Sequence, residues 1–230
     1  MYFIFFFFFC GSGYTTALGT DASGTTISMS EASNAKCLEY ASRIPGFNGG
    51  RNLLVCVLVN SSGVRGITSM KENLQSGIAY CASGSNQRDA FGALVRHEAG
   101  GHGFAFLADE YSTDTGSPEQ ALVNEYNRLY DKYGWYSNID FTSDPAKVKW
   151  SAFLSDPRYK DEVGIYEGAG GPYSTGIYRP SHDSMMNHNV EYYNAPSRWA
   201  IYKRIMELSG ETASFDKFLE YDAVNRKASE

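Results

Sequence analysis

The stretch "RHEAGGHGFAFLADEY", residues 96–111, decides how the rest of the chain is read. The metalloprotease pattern His-Glu-x-x-His sets two histidines four apart on a helix, where they face one metal, with the glutamate as general base. Here His97 and His102 stand five apart, with Gly100 and Gly101 between them. Successive residues of a regular helix turn by roughly 100°, so side chains five apart diverge by about 140° and cannot share an ion. An inserted residue can be absorbed as a π-type bulge, which restores the facing. Glycine tolerates that distortion and is a poor choice for an undistorted helix. Spacing and composition therefore agree on a π-bulge at Ala99 to Gly101, with His97 and His102 binding one Zn2+ and Glu98 as general base. Read as polar decoration on a surface helix, the same residues leave the position of the glycines unexplained.

The surrounding chain is that of a globular protein. Its 230 residues are enough for one large domain with a real core, and 43% apolar against 20% charged residues exclude disorder. A net charge of -6 and a pI near 5.3 argue against nucleic acid, whose phosphates need a basic surface. The 17 Tyr, 14 Phe and 3 Trp suit a cleft that grips an extended polymer, and equally an ordinary core. Cys10, Cys37, Cys56 and Cys81 show no C-x-x-C spacing, so a structural zinc knuckle is not expected and the redox compartment stays open. The opening "MYFIFFFFFCGS" has no basic segment and puts bulky Phe before Cys10, unlike a signal peptide, and is too short for a membrane span. It reads as a first core strand of a chain whose upstream part is missing.

An α/β fold follows from the order of segments. "EASNAKCLEYASRIPGF" (31–47) has helical spacing that Pro45-Gly46 ends, and "NLLVCVLVN" (52–60) is a continuous apolar run like a strand covered on both faces. "VRGITSM" (64–70) and "GIAYCAS" (77–83) read as further strands, the latter as an exposed edge on which a substrate peptide could lie by main-chain pairing. The motif helix is expected over about 88–108. Further helices are expected at 118–134, at 144–154 with Pro145 in its first turn, at 195–208 and at 214–227.

"HEAGGHGFAFLADEY" (97–111) closely resembles the bacterial IgA-peptidase family of zinc metallopeptidases, including relatives in gut bacteria with the same His-Glu-Ala-Gly-Gly-His insertion. A His-Glu-x-x-Gly-His motif one residue longer than usual is also familiar from dipeptidyl peptidase III, an otherwise different family. The resemblance extends more loosely to "RPSHDSMMNHNVEYYNAPSRWAIYKRI" (179–205), so that together it spans about residues 50 to 208. It implies a metzincin-like catalytic domain over 1–230: an N-terminal α/β subdomain with the zinc helix (1–112) and a mostly helical C-terminal subdomain with a Met-turn (113–230). The metzincin group places a methionine-containing turn beneath the zinc, and "SMMN" at 184–187 fits its Ser-x-Met form with Met186 as the methionine. Met185 and Met186 as core fillers are the plainer alternative. In an astacin-like register His188 falls where those enzymes keep a tyrosine near the metal.

A third protein ligand is needed, with one position left for water. Asp109, seven residues after His102, leads, and the resemblance also implies an aspartate in "LADEY". Relatives usually carry glycine near position 105, where the chain turns back to the metal. Ala105 and Phe106 stand here instead, and alanine is poorer at left-handed angles. Glu125 is the rival, on the plan that takes a glutamate from the next helix. His182, Asp183 and Glu110 are weaker rivals, the first two reading rather as a surface pair and Glu110 as an acid behind the ligands. Zinc would acidify its water and polarise the scissile carbonyl, while Glu98 accepts the proton and passes it to the leaving amine. Tyr178 and Arg179 are candidates for the far wall of the cleft.

A serine or cysteine hydrolase is not supported, since there is no Gly-x-Ser-x-Gly elbow and no visible histidine partner for a cysteine. The expectation is a zinc-dependent endopeptidase acting on a protein or peptide, such as immunoglobulin A or another host or mucosal glycoprotein, secreted or at the cell surface by family resemblance. The alternative is a degenerate peptidase-like module that binds protein or glycan. The intact His97, Glu98 and His102 speak against it.

Overall fold

The computed structural model of the chain describes residues 3–8, 21–23, 26–60, 66–83, 88–113 and 116–227; Cys10 lies outside them. The chain is mixed α/β and divides into two compact units, Met1–Phe104 and Ala105–Glu230.

In the first unit β1 (Phe3–Phe8) is followed by the short hairpin β2 (Asp21–Ser23) and β3 (Thr26–Ser28), then α1 (Glu31–Ala41), β4 (Leu54–Val59), β5 (Gly66–Lys71), β6 (Ser76–Ala82) and α2 (Arg88–Val95). A small mixed sheet has the order β1-β4-β6-β5, with β1, β4 and β6 parallel and β5 antiparallel to β6. Every residue of β4 and β6 is buried, as continuous apolar runs require when both faces of a strand are covered. The expectation that residues 77–83 form the edge is therefore corrected. β6 is hydrogen-bonded on both sides, and the edges are β1 and the more polar, half-exposed β5.

Helix α1 starts where Ser30 Oγ accepts from the Ser33 N–H (3.0 Å) and stops at Ala41, short of Pro45, because residues 42–46 form turns instead. It packs on the sheet through Cys37 and Ala41. A buried polar chain fixes its register: the Tyr80 hydroxyl donates to Asn34 Oδ1 (2.9 Å), and Asn34 Nδ2 donates to Ser69 Oγ (3.2 Å). Cys37, Cys56 and Cys81 are buried and unbridged.

The second unit holds α3 (Gln120–Tyr133), α4 (Ser151–Leu154), the hairpin β7 (Tyr166–Ala169) and β8 (Tyr173–Arg179), α5 (Met185–His188), α6 (Ala195–Ser209), α7 (Phe215–Tyr221) and α8 (Ala223–Lys227). Helix α3 ends at Gly134, whose φ of +73° is a left-handed angle that glycine adopts freely. The helix expected over 144–154 is only its last turn. Asp144 caps a turn through the Ala146 N–H, and the Lys149 N–H is taken by the carboxylate of Asp140 (2.8 Å), so no helical ladder runs through. The helix expected over 214–227 breaks at Asp222, whose buried carboxylate receives Arg198 and the Tyr159 hydroxyl. A core of Val148, Trp150, Phe153, Tyr159, Val163, Ala195, Phe218 and Leu219 holds these pieces together. Among the described residues no helix is long and apolar enough to cross a membrane.

After α2 the chain continues directly into a nine-residue π-helix, Arg96–Phe104, which packs against β4, β5 and β6. The approach to β6 is backbone on backbone. A Cβ built on Gly77 would lie 2.4 Å from Gly103 Cα and 2.5 Å from its carbonyl oxygen, a collision that no rotamer change relieves. Gly77→Ala should therefore cost about 1–3 kcal/mol, as overpacking of a tight interior does. Urea unfolding checks this, and an unchanged midpoint would show that the helix stands further from the strand.

Candidate metal centre

The π-helix answers the spacing problem. Its i→i+5 hydrogen bonding stacks residues five apart, and it runs longer than the Ala99 to Gly101 bulge that the spacing alone predicts. His97 and His102 meet with Nε2 to Nε2 at 3.2 Å, ring centroids 4.9 Å apart and planes at 74°. Two nitrogens bound at 2.0–2.1 Å to a tetrahedral ion would be about 3.3 Å apart, so the rings stand at the bite such an ion needs. Both are buried, at 6% and 9% exposure.

His97, His102 and Asp109 form a group whose ligand atoms all lie within 4.8 Å of one another, and it could hold a metal ion. No other such group of three occurs among the described residues. Two imidazoles and a carboxylate are a donor set that suits a transition metal and leaves a coordination position for water.

Asp109 is held by its neighbours on both sides. Asn138, fully buried, accepts from the Ala108 N–H (2.8 Å), donates to the Ala108 carbonyl (2.8 Å) and also donates to Glu110 Oε1 (2.9 Å). The Glu110 N–H donates to the Met186 carbonyl (2.7 Å), and the Asp109 carbonyl accepts from the Gly170 N–H (2.9 Å). The Tyr126 phenol is pushed up by burial and then by the nearby charge of Asp109.

The turn after the π-helix is made without glycine. Ala105 is not the left-handed residue; Phe106 is, at φ +54°. An L residue pays roughly 1–2 kcal/mol for that angle. Phe106 offsets it by burial, by stacking on Trp135 at 4.4 Å and 6°, by Arg204 over its ring at 5.2 Å, and by its carbonyl accepting from the Tyr136 N–H.

Glu110, the acid expected behind the ligands, is fully buried. Its carboxylate accepts from Ser184 Oγ (2.6 Å), from Asn138, and from Asn194 Nδ2 at both oxygens (2.9 and 2.8 Å). Burial pushes this carboxyl up, and the donors from Ser184, Asn138, Asn194 and Ser197 pull it back. Ser184 also caps the single turn Met185–His188 by accepting from the Met186 N–H (3.1 Å), and both methionines are fully buried. The "SMMN" turn and the segment carrying Asp109 are thus joined by one main-chain and one side-chain hydrogen bond.

Glu98 is buried in the first unit against the edge strand, where Thr68 Oγ1 lies 2.7 Å from Glu98 Oε2 and 3.0 Å from the Glu98 carbonyl. Glu125, the rival ligand, is exposed and bound at both carboxylate oxygens by Arg128 (2.8 and 2.7 Å). His188 is exposed, its Nδ1 2.9 Å from Asp183 Oδ1, and the His182 ring lies 3.8 Å from that of Tyr166. Tyr178 packs on the core that contains Trp150, and its hydroxyl donates to Glu167 (3.4 Å). Arg179 donates to the carbonyls of Glu167, Gly168 and Ser181, which makes it a hairpin brace. Sequence reasoning did not find Thr68, Asn138 or Asn194. Each is a lone polar residue in an unremarkable segment, and only the fold gives it a partner.

No protein-family model matches the chain, and no curated protein matches it.

The two carboxylates offered as third ligand separate in one experiment. Asp109→Ala should weaken metal binding by at least the roughly 10–100-fold that follows loss of an outer partner, whereas Glu125→Ala should leave it unchanged. Metal content after dialysis is the readout, and the reverse pattern would move the ligand to α3.

Proposed function

We propose that the chain is a secreted or cell-surface zinc-dependent endopeptidase of the metzincin plan, related to the bacterial IgA-peptidase family, acting on a protein such as immunoglobulin A or another host or mucosal glycoprotein. The observation that carries this reading is the 3.2 Å approach of two buried imidazoles five residues apart, on a helix that also bears a buried glutamate. Surface decoration needs no such convergence, and a degenerate binding module has no use for it.

His97, His102 and Asp109 would hold the zinc ion. Such an ion, when bound, lowers the pKa of a water and polarises a peptide carbonyl. Glu98, next to a ligand in sequence, takes the proton from the attacking water and returns it to the leaving amine. Edge strand β5, which pairs with a strand on one side only among the described residues, offers main-chain groups to an extended peptide. The buried Met186 turn, bonded to Glu110, gives the segment of Asp109 a rigid support. This favours the metzincin plan over one that draws a glutamate from the following helix.

The test is cleavage of casein and of immunoglobulin A, with and without a chelator, by wild type and Glu98→Gln. The wild type should cleave only with metal. Glu98→Gln should keep its zinc and lose about 10²–10⁴-fold in kcat, the usual worth of a general base. Equal turnover by the variant would exclude the role of Glu98, and turnover that survives chelation would exclude zinc.

A further inference from the structure

We infer that Thr68 is the positioning residue for the Glu98 carboxylate, and that Gly66 provides the clearance that makes this possible. The inference rests on the peptidase reading, because it concerns the residue proposed as base.

Side chains along a strand alternate between faces, so Gly66 and Thr68 share one face of β5. Glu98 lies against that face. A Cβ at position 66 would stand 2.3 Å from Glu98 Cγ, 2.8 Å from Cδ and 2.7 Å from Oε1, so the glutamate stem occupies the space of the missing side chain. Two residues on, the Thr68 hydroxyl meets the far carboxylate oxygen at 2.7 Å. That is the usual length of a hydroxyl hydrogen bond to oxygen. The same hydroxyl stands 3.0 Å from the Glu98 carbonyl, so its one proton is shared between the main chain and the head group of one residue.

Glycine weakens a strand interior and has a reason to be there when something approaches closely. That something is Glu98. A buried carboxylate with a long stem would otherwise sample several rotamers, and an off-line base loses rate steeply with small displacements. Because β5 is a sheet edge, the strand proposed to seat the peptide also aims the base. Substrate and proton acceptor are then referred to one rigid element.

The experiment compares Thr68→Val, Thr68→Ser and Gly66→Ala in zinc-loaded protein, reading zinc per chain, kcat and KM on a fluorogenic peptide that the wild type cleaves. Thr68→Val and Gly66→Ala should keep one zinc and a KM within about twofold while kcat falls at least about tenfold. Thr68→Ser, which restores the hydroxyl, should recover most of kcat. A second readout needs neither metal nor activity. In metal-free protein Thr68→Val should lower Tm more in the wild-type background than in the Glu98→Ala background, which keeps only the bond to the main-chain carbonyl, because the two side chains are coupled. Unchanged kcat in Thr68→Val, an equal defect in Thr68→Ser, or additive Tm shifts would each overturn the inference. If Glu98→Gln is inactive while Thr68→Val keeps its kcat, the positioning role alone falls. If Glu98→Gln turns over like wild type, the reading of Glu98 as base falls and takes the positioning role with it.

Discussion

The five-residue hydrogen-bond repeat between Arg96 and Phe104 is the constraint on which the candidate centre depends. On a regular helix His97 and His102 would point about 140° apart. π-geometry is rare in proteins and is found mostly as single turns at functional sites, so nine residues of it need outside support. The sheet supplies that support. The helix lies on β4, β5 and β6, Gly103 sits against Gly77 with no side chain between them, and Thr68 holds the Glu98 main chain from the edge strand. Gly100 and Gly101 remove the side chains that would resist the wider turn. Helix and sheet are therefore mutually specified: small residues on the strands admit the helix, and the strands hold it in the form that closes the imidazoles.

In the second unit a buried acid plays the corresponding structural part. Glu110 has neutral hydrogen-bond partners, Asn138, Asn194 and Ser184, and these come from three separate stretches of chain. Hydrogen bonds to a charged group are worth about 1.5–3 kcal/mol each, and a donor left unpaired at such a depth costs about as much again. The arrangement therefore stands or falls as a unit. It fixes the main chain on both sides of Asp109, ties in the Met185–Met186 turn, and sets Asn194 as the cap of α6, where its Oδ1 accepts from the Ser197 N–H (3.1 Å). Asp109 itself is half-buried, with a carboxylate oxygen within 4.8 Å of the ligand nitrogens of His97 and His102.

Much of this was legible in the sequence, and the reasons for the rest are physical. The π-distortion was readable because spacing and glycine content are local and point the same way. Strand β4 was readable because an unbroken apolar run has few other uses. That β6 is not an edge was not readable, since it depends on β4 pairing with one side of it and β5 with the other. The helices expected over 144–154 and 214–227 failed for one reason: the carboxylates of Asp140 and Asp222 bind groups from distant or irregular segments, and local propensity carries no sign of that. Glycine was looked for at position 105 as the turning residue. The turn is instead taken by Phe106, held at an unfavourable angle by its stack on Trp135, a partner 29 residues away. The group that could hold a metal was partly visible, as two histidines and an aspartate near in sequence, while Asn138 and Asn194, which brace the main chain beside Asp109, could be found only in the fold.

The central claim is that two imidazoles five residues apart bind one ion together. Zinc K-edge X-ray absorption of the stoichiometrically loaded protein tests it most directly, because imidazole rings give a characteristic outer-shell scattering that can be counted. The account predicts two imidazole nitrogens at about 2.0–2.1 Å together with oxygen ligands at about 2.0–2.2 Å and no sulfur. A spectrum with one imidazole or none, or with a sulfur ligand, would contradict it.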